Sequence, residues 1–419
     1  KKGELTEWLN QYFGVIDEFK AGQINDYPIF NVTPNRNGAS SGQLPLSNLR
    51  WELDTTVSPR EEREVKRLSN ELMSGGQMPP PSWMPLRVGP QLLMRTTEYL
   101  VGVDYRTGKR VWLHPWDKSG EDVEKDAESL PGVRDESSAS ELLRQRVWND
   151  VPYGQVTSDG ERAYLLEGLK QLNSASFGPM GFRGSRPAAT NGNTLVALDL
   201  ASEGKLKWFL GAQSGSDSAL ADAFFLGPPL PVDGCLYVMF ELAGDICLSC
   251  LEPATGDEIW RQQLVSVESG TISRDWIRRV AGAMPSYHEG VLVCPTGAGA
   301  LVAVNLGDRT LRWGVNYDRN NAMTQFVQGR GRVDTKQLMQ RWFTGTAIAS
   351  DQAVLVTPVE SGRLFGFNLL TGKPLFTQKM RLEMRYLAGI RGDRFYVVGS
   401  NVMKAYELSS GSQIWRTES

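Results

Sequence analysis

Histidine and cysteine, the residues that most often carry chemistry, are scarce in this chain, with 2 and 4 respectively among 419 residues. Cys235, Cys247, Cys250 and Cys294 are too few to staple a chain of this size, which excludes a disulfide-built scaffold. They leave the compartment undecided. Long apolar runs are also missing: none approaches the roughly 18 residues of a membrane-crossing helix, so no transmembrane segment is expected. A dominant charge is lacking as well. With a net charge of −3, the balance argues against a dominant basic surface, so no nucleic-acid partner is expected. Lys1 opens without a Met or an apolar leader, so the chain reads as a mature form or a fragment. What it has in quantity is turn formers, 43 Gly and 22 Pro, which suit an all-β chain.

Alignment of the chain with itself gives six related segments: LVGVDYRTGKRVW, LVALDLASEGKLKW, LSCLEPATGDEIW, LVAVNLGDRTLRW, LFGFNLLTGKPLF and VMKAYELSSGSQIW. They end at Trp112, Trp208, Trp260, Trp313, Phe376 and Trp415. In five of them a polar residue (Asp104, Glu252, Asn305, Asn368, Glu407) stands eight positions before the aromatic; in the other, Asp199 stands nine before it. Apolar and polar residues alternate up to a turn and then resume, the pattern of a hairpin. A second hairpin lies upstream of each, turning at Gly89-Pro90, Asp159-Gly160, Asp233-Gly234, Glu289-Gly290, Asp351-Gln352 and Gly392-Asp393. Two hairpins make a four-stranded antiparallel unit that cannot bury both faces alone. Such units packed around an axis form a β-propeller. The recurring aromatic belongs to the outermost strand, where a ring covers the seam to the next unit and an indole N–H finds a carbonyl. Trp51, in LSNLRWELDT, holds the same position in an isolated outer strand, which adds a composite blade and predicts seven or eight in all.

The expected organisation is an N-terminal helix and lead-in over 1–45 and a propeller over 46–419. Within the latter, 46–56 is the orphan outer strand and 57–80 a helical insertion. Blades are expected near 84–116, 151–210, 222–265, 281–316, 343–379 and 384–416. Residues 117–150, 171–193 and 317–342 read as insertions emerging at a propeller face, the last ending in a short helix, VDTKQLMQRW. Long loops on a rigid frame are where partners bind, so protein partners are expected through 117–150 and 317–342.

Other candidate sites are weaker. Cys247 and Cys250 have a ligand-like spacing, but on a strand residues three apart face opposite sides. No metal site is therefore expected there. His114 and His288 fall in different blades with no nucleophile beside them. PTGAGA at 295–300 precedes a strand, not the helix that a phosphate loop needs, and reads as a hairpin turn. The basic runs RDWIRRVAG (274–282) and QGRGR (328–332) are expected either to be solvated or to meet an acidic partner. The inner strands, taken to begin near Arg87, Tyr153, Phe225, Met284, Trp342 and Arg385, would line a central funnel able to hold an anionic or aromatic ligand.

The pattern apolar-x-apolar-Asp-x-x-Thr-Gly-Lys-x-x-Trp, closest at Trp112 and Trp208, resembles the PQQ-like repeat of bacterial quinoprotein-type propellers. YPIFNVTPNRNGAS, with Tyr27, Pro28, Phe30, Arg36 and Gly38, is similar to the motif that leads into the first blade of such proteins. In one subgroup a helical tetratricopeptide-like array comes before it, and EWLNQYFG resembles its tail. The resemblance implies export to the periplasm or cell envelope. It also implies one of two functions. One is a non-catalytic scaffold for protein–protein interaction, with no cofactor and no catalytic residue. The other is a dehydrogenase using pyrroloquinoline quinone (PQQ) and Ca²⁺, with carboxylate and amide ligands, an Asp base and often an adjacent pair of cysteines, which this chain lacks. Small-ligand or carbohydrate binding in the funnel is a further alternative.

Overall fold

The computed structural model describes residues 26–38, 49–56, 58–75, 81–115, 140, 143–167, 192–211, 220–267, 272, 275–319, 342–379 and 383–418. Six antiparallel sheets follow one another along the chain, each a four-stranded meander from an inner to an outer strand. In blade 1 the strands are Leu86–Val88, Gln91–Arg95, Leu100–Asp104 and Arg110–His114. The other five span 156–211, 224–266, 286–316, 348–379 and 384–418, and the third carries one extra short strand, Phe224–Phe225. The fold is thus a β-propeller with six complete blades among the described residues.

Local chemistry explains the hairpins. At the inner turns of blades 3 and 4 both central residues take positive φ, Asp233 at 49° with Gly234 at 76° and Glu289 at 44° with Gly290 at 81°. This is the backbone that a two-residue turn between twisted strands requires. At the outer turns the polar repeat residue closes the loop. The Asp104 carboxylate accepts from the Arg106 and Thr107 backbone N–H groups and from the Thr107 hydroxyl, and Asn368 repeats this with Leu370 and Thr371.

Strands of the middle blades are buried on both faces, as Val291–Pro295 is throughout, because each sheet packs on two others. Separate apolar clusters join blades 1 and 2, 2 and 3, 3 and 4, 4 and 5, and 5 and 6. No such cluster of described residues joins the sheets of blades 6 and 1 directly. On blade 6 the second strand Arg394–Gly399 is accordingly buried only at Phe395 and Val397, which face blade 5.

Two expectations need correction. Residues 49–54 pair with no strand, because no third strand lies beside them among the described residues. Arg278 and Arg279 of the basic run lie in a short helix, Trp276–Val280, and are 1% and 6% exposed, so neither is a solvated surface charge. Helices occur at Pro59–Ser74 and at Gln145–Asn149, the first capped by Ser58, and they pack together through Leu68, Leu72, Val147 and Trp148. EWLNQYFG, VDTKQLMQR of the expected helix, QGRGR, residues 171–191 and most of 117–150 and 317–342 lie outside the described residues.

Candidate functional site

Because consecutive strands are antiparallel, the turns within each inner and outer hairpin lie on one face of the disc. The middle turns and the connections between blades lie on the other, so 117–150, 171–193 and 317–342 all join strands at this second, loop face.

The seam aromatics act at the turn face. Trp208 Nε1 donates to the Pro253 carbonyl of the next blade at 2.9 Å and Trp313 Nε1 to the Leu369 carbonyl at 2.8 Å. Trp51 Nε1 donates in the same way to the Tyr105 carbonyl of blade 1 at 3.1 Å. Each acceptor directly follows the polar repeat residue. Beneath each ring lies a turn glycine: a Cβ at Gly108 would stand 2.4 Å from Trp51, at Gly204 2.4 Å from Trp112, at Gly256 2.9 Å from Trp208, at Gly372 2.7 Å from Trp313 and at Gly411 2.6 Å from Phe376. The turn glycine, preceded by Thr, Ser or, at Gly204, Glu203, is therefore a seat for the preceding blade's ring as well as a turn. Trp260 instead carries the Arg309 guanidinium 5.8 Å from its centroid, Trp112 Nε1 donates to Gln91 within its own blade, and Trp415 lies beside Tyr396. Trp51 thus occupies the seat on blade 1 that a preceding blade's outer strand would fill.

At the axis the lead-in segment meets the inner strands. Tyr27 pairs with Arg87 of blade 1, and the Pro28 carbonyl accepts from Ser158 N–H of blade 2. Ile29 joins the apolar cluster of blades 3 and 4. The Pro34 and Asn35 carbonyls accept from Tyr287 of blade 4 and Ala349 of blade 5. Asn37 forms a double tie to blade 6, Nδ2 donating to the Ile390 carbonyl at 2.9 Å and Oδ1 accepting from Ile390 N–H at 2.7 Å. A segment that touches all six blades in turn can lie only where their inner strands converge.

This segment explains where the six funnel residues stand. Tyr153, Phe225, Met284, Trp342 and Arg385 are 5%, 0%, 0%, 1% and 8% exposed. Met284 Sδ accepts from Arg36 of the lead-in. Arg87 turns its guanidinium over the Tyr105 ring, 4.2 Å from the centroid. Tyr153 belongs to a short helix, Val151–Gly154, and lies between the guanidinium groups of Arg95 and Arg146, each 4.2 Å from its centroid. The lead-in residues 27–37 pack against the inner strands beside them, a neighbour that the repeat pattern leaves blank.

The charged groups near the axis were not legible in the repeat. Glu241 pairs with Arg278 at 3.0 Å, and Asp275 pairs with Arg278 at 3.2 Å and Arg319 at 2.5 Å. Glu360 accepts from the Tyr317 hydroxyl at 2.5 Å. Burial raises the Glu360 carboxyl against the pull of Tyr317 and Arg319, and it raises the Tyr317 hydroxyl. Burial likewise raises Glu241 despite Arg278. Asp150, whose carboxylate caps the helix at Tyr153 N–H, is raised by burial against Arg146, Arg95 and Arg279. The two histidines each meet a carboxylate of the next blade, His114 Nε2 with Glu167 at 3.0 Å and His288 Nε2 with Asp351 at 2.6 Å. With Glu289, His288 and Asp351 form the one group of three clustered metal-type ligands among the described residues, on the turn face.

These donors do not fit a quinone with its Ca²⁺. Glu241, Asp275 and Glu360 are already engaged by guanidinium or phenol groups. Cys247 packs between blades 2 and 3 and Cys250 between blades 3 and 4, on opposite faces of one strand. The cavity beside Arg36, about 10 Å³, holds a water-sized occupant and not a tricyclic ring.

The fold and its repeats define a β-propeller of the PQQ-like type. Residues 219–385, from blade 3 to the first residues of blade 6, match the family described as outer membrane protein assembly factor BamB. No curated protein matches the chain. Among solved structures it is similar to BamB from Moraxella catarrhalis at 14% identity, covering 80% of this chain and 76% of that one, with a TM-score of 0.45. A europium-containing methanol dehydrogenase aligns at 10% identity over 94% and 78%, with a TM-score of 0.46. The quinohemoprotein alcohol dehydrogenase from Comamonas testosteroni does so at 11% over 96% and 74%, with a TM-score of 0.41. Identities this low carry nothing about ligands or partners. Among the described residues no helix is long and apolar enough to cross a membrane.

Proposed function

We propose that the chain is a non-catalytic scaffold that binds protein partners in the bacterial cell envelope. The observation that carries this reading is the lead-in segment: residues 27–37 tie all six blades together where their inner strands converge. The engagement of Asp275, Glu241, Glu360 and both histidines by neighbouring side chains supports it. So does the match of 219–385 to a family described as an outer-membrane assembly factor. A disc pinned at its centre is a stiff frame, and the loop face, where 117–150 and 317–342 connect the strands, is the side on which we place the partners.

Photo-cross-linkers placed in 117–150 and 317–342 should trap a discrete protein in native envelopes, whereas probes at the turn-face loops, such as Asp233, should not. Equal capture from both faces, or none from either, would overturn the scaffold reading. The alternative of a quinoprotein dehydrogenase predicts stoichiometric PQQ uptake with Ca²⁺ and dye-linked oxidation of an alcohol or sugar. The funnel-binding alternative predicts sugar or aromatic-anion binding that is lost on substituting Arg385.

A further inference from the structure

Arg36 is 0% exposed, near the end of the lead-in segment. Its Nη1 donates to the Phe30 carbonyl at 3.1 Å, and its Nη2 faces the Pro285 carbonyl at 3.5 Å and Met284 Sδ at 3.8 Å. All three are neutral acceptors, and among the described residues no carboxylate forms an ion pair with it. Its Nε, also buried, has no acceptor. An uncompensated buried charge is costly, and natural proteins pair such charges. Burial without a counter-charge lowers the guanidinium to about 9.

Beside Arg36 lies the cavity of about 10 Å³, whose wall includes Thr344, Thr346, Thr357 and Leu387 and no carboxylate. Thr357 Oγ1 is committed to the Thr344 carbonyl at 3.0 Å. Thr346 Oγ1 accepts from Thr344 Oγ1 at 2.9 Å, which leaves its own proton to donate. Asn31 also lines the cavity, its Oδ1 accepting from the Tyr386 hydroxyl, and the buried donors Arg36 Nε–H and Thr346 Oγ1–H call for an acceptor of single-atom size.

We infer that this cavity binds a monovalent anion of the chloride class, which neutralises Arg36 and locks the lead-in segment to the six blades. The room is about that of one water-sized sphere, so a halide enters with a small outward shift of the wall, and tetrahedral oxyanions are excluded. Occupancy would couple halide binding to the integrity of the whole disc, because residues 27–37 are its central tie.

Two measurements on the full chain test this. In crystals grown with sodium bromide, an anomalous peak within hydrogen-bonding distance of Arg36 Nε and Thr346 Oγ1 is expected. A peak-free site holding a light atom would show an ordered water and overturn the proposal. In solution, replacing sodium gluconate by chloride at constant ionic strength should raise the unfolding midpoint. Each tenfold rise in chloride above the dissociation constant should add roughly 2 °C. Arg36→Met should abolish the chloride dependence. Should that variant fail to fold, Thr346→Val, which removes one donor, should weaken the dependence at least severalfold. An unchanged chloride response in a folded variant of either kind would also overturn the assignment.

Discussion

The seam aromatics should dominate the energetics of the disc, and Trp208 is the cleanest place to measure this. It is 9% exposed, lies over Gly256, meets the Tyr164 ring at 5.8 Å and donates to the Pro253 carbonyl at 2.9 Å. Truncation to Ala opens a void that turn backbone must hold apart, and such a change costs about 3–5 kcal/mol. The indole hydrogen bond accounts for only about 1 kcal/mol of this. Trp208→Phe keeps a ring on Gly256 and loses that bond, so it should cost about 1–2 kcal/mol. Blade 5 makes the point within the same chain, since Phe376 sits on Gly411 with no N–H to give. Trp415, on the blade whose far face no described sheet covers, is only partly buried. Its truncation should cost less than half as much as that of Trp208. Guanidinium unfolding of the full chain followed by far-UV circular dichroism reads all three variants. A Phe variant as damaging as the Ala variant would place the energy in the hydrogen bond and refute the seating argument. A loss below about 1 kcal/mol for Trp208→Ala would refute the ring's importance altogether.

Other expectations follow from the axis and the loop face. Asn37→Ala removes both ties to Ile390 and should lower stability by about 2–3 kcal/mol, with the midpoint falling by several degrees in a thermal melt. Gly154→Ala would set a Cβ 2.1 Å from the Ser82 carbonyl oxygen, so backbone must move and the melt should become broad or fall sharply. Glu360 has a folded pKa raised above its ordinary 4.5. Its contribution is therefore complete below that value and is lost as pH rises through the folded pKa. Glu360→Gln keeps an acceptor for Tyr317. It should be the more stable protein at about pH 8 and converge on the parent towards about pH 4, as chemical unfolding across that range will read. A constant difference at all pH values would contradict the assignment. The Glu167 carboxyl behaves oppositely. Burial opposes its ionisation, but the His114 hydrogen bond and Arg95 hold it below its usual value, so its stabilisation should fade under acid, and Glu167→Gln should flatten acid unfolding.

The repeat was legible because each blade is written locally. Alternation, turn residues and the spacing from Asp104 to Trp112 or Asn368 to Phe376 are set by contacts within one hairpin, and they determined the class of fold and the number of complete blades. For Trp51 the repeat pattern pointed to an outer strand, whereas the structure seats the ring on Gly108 with no strand around it among the described residues. What the sequence could not determine was anything made by residues far apart in the chain. The lead-in residues look like a loop until Asn37 meets Ile390, 353 positions away. Arg278 looks like a surface cation until Glu241 lies against it. The strand starts do not show what packs against them at the axis, where six converging inner strands leave backbone groups in want of partners. Tyr27 to Asn37 is the stretch of chain that supplies them.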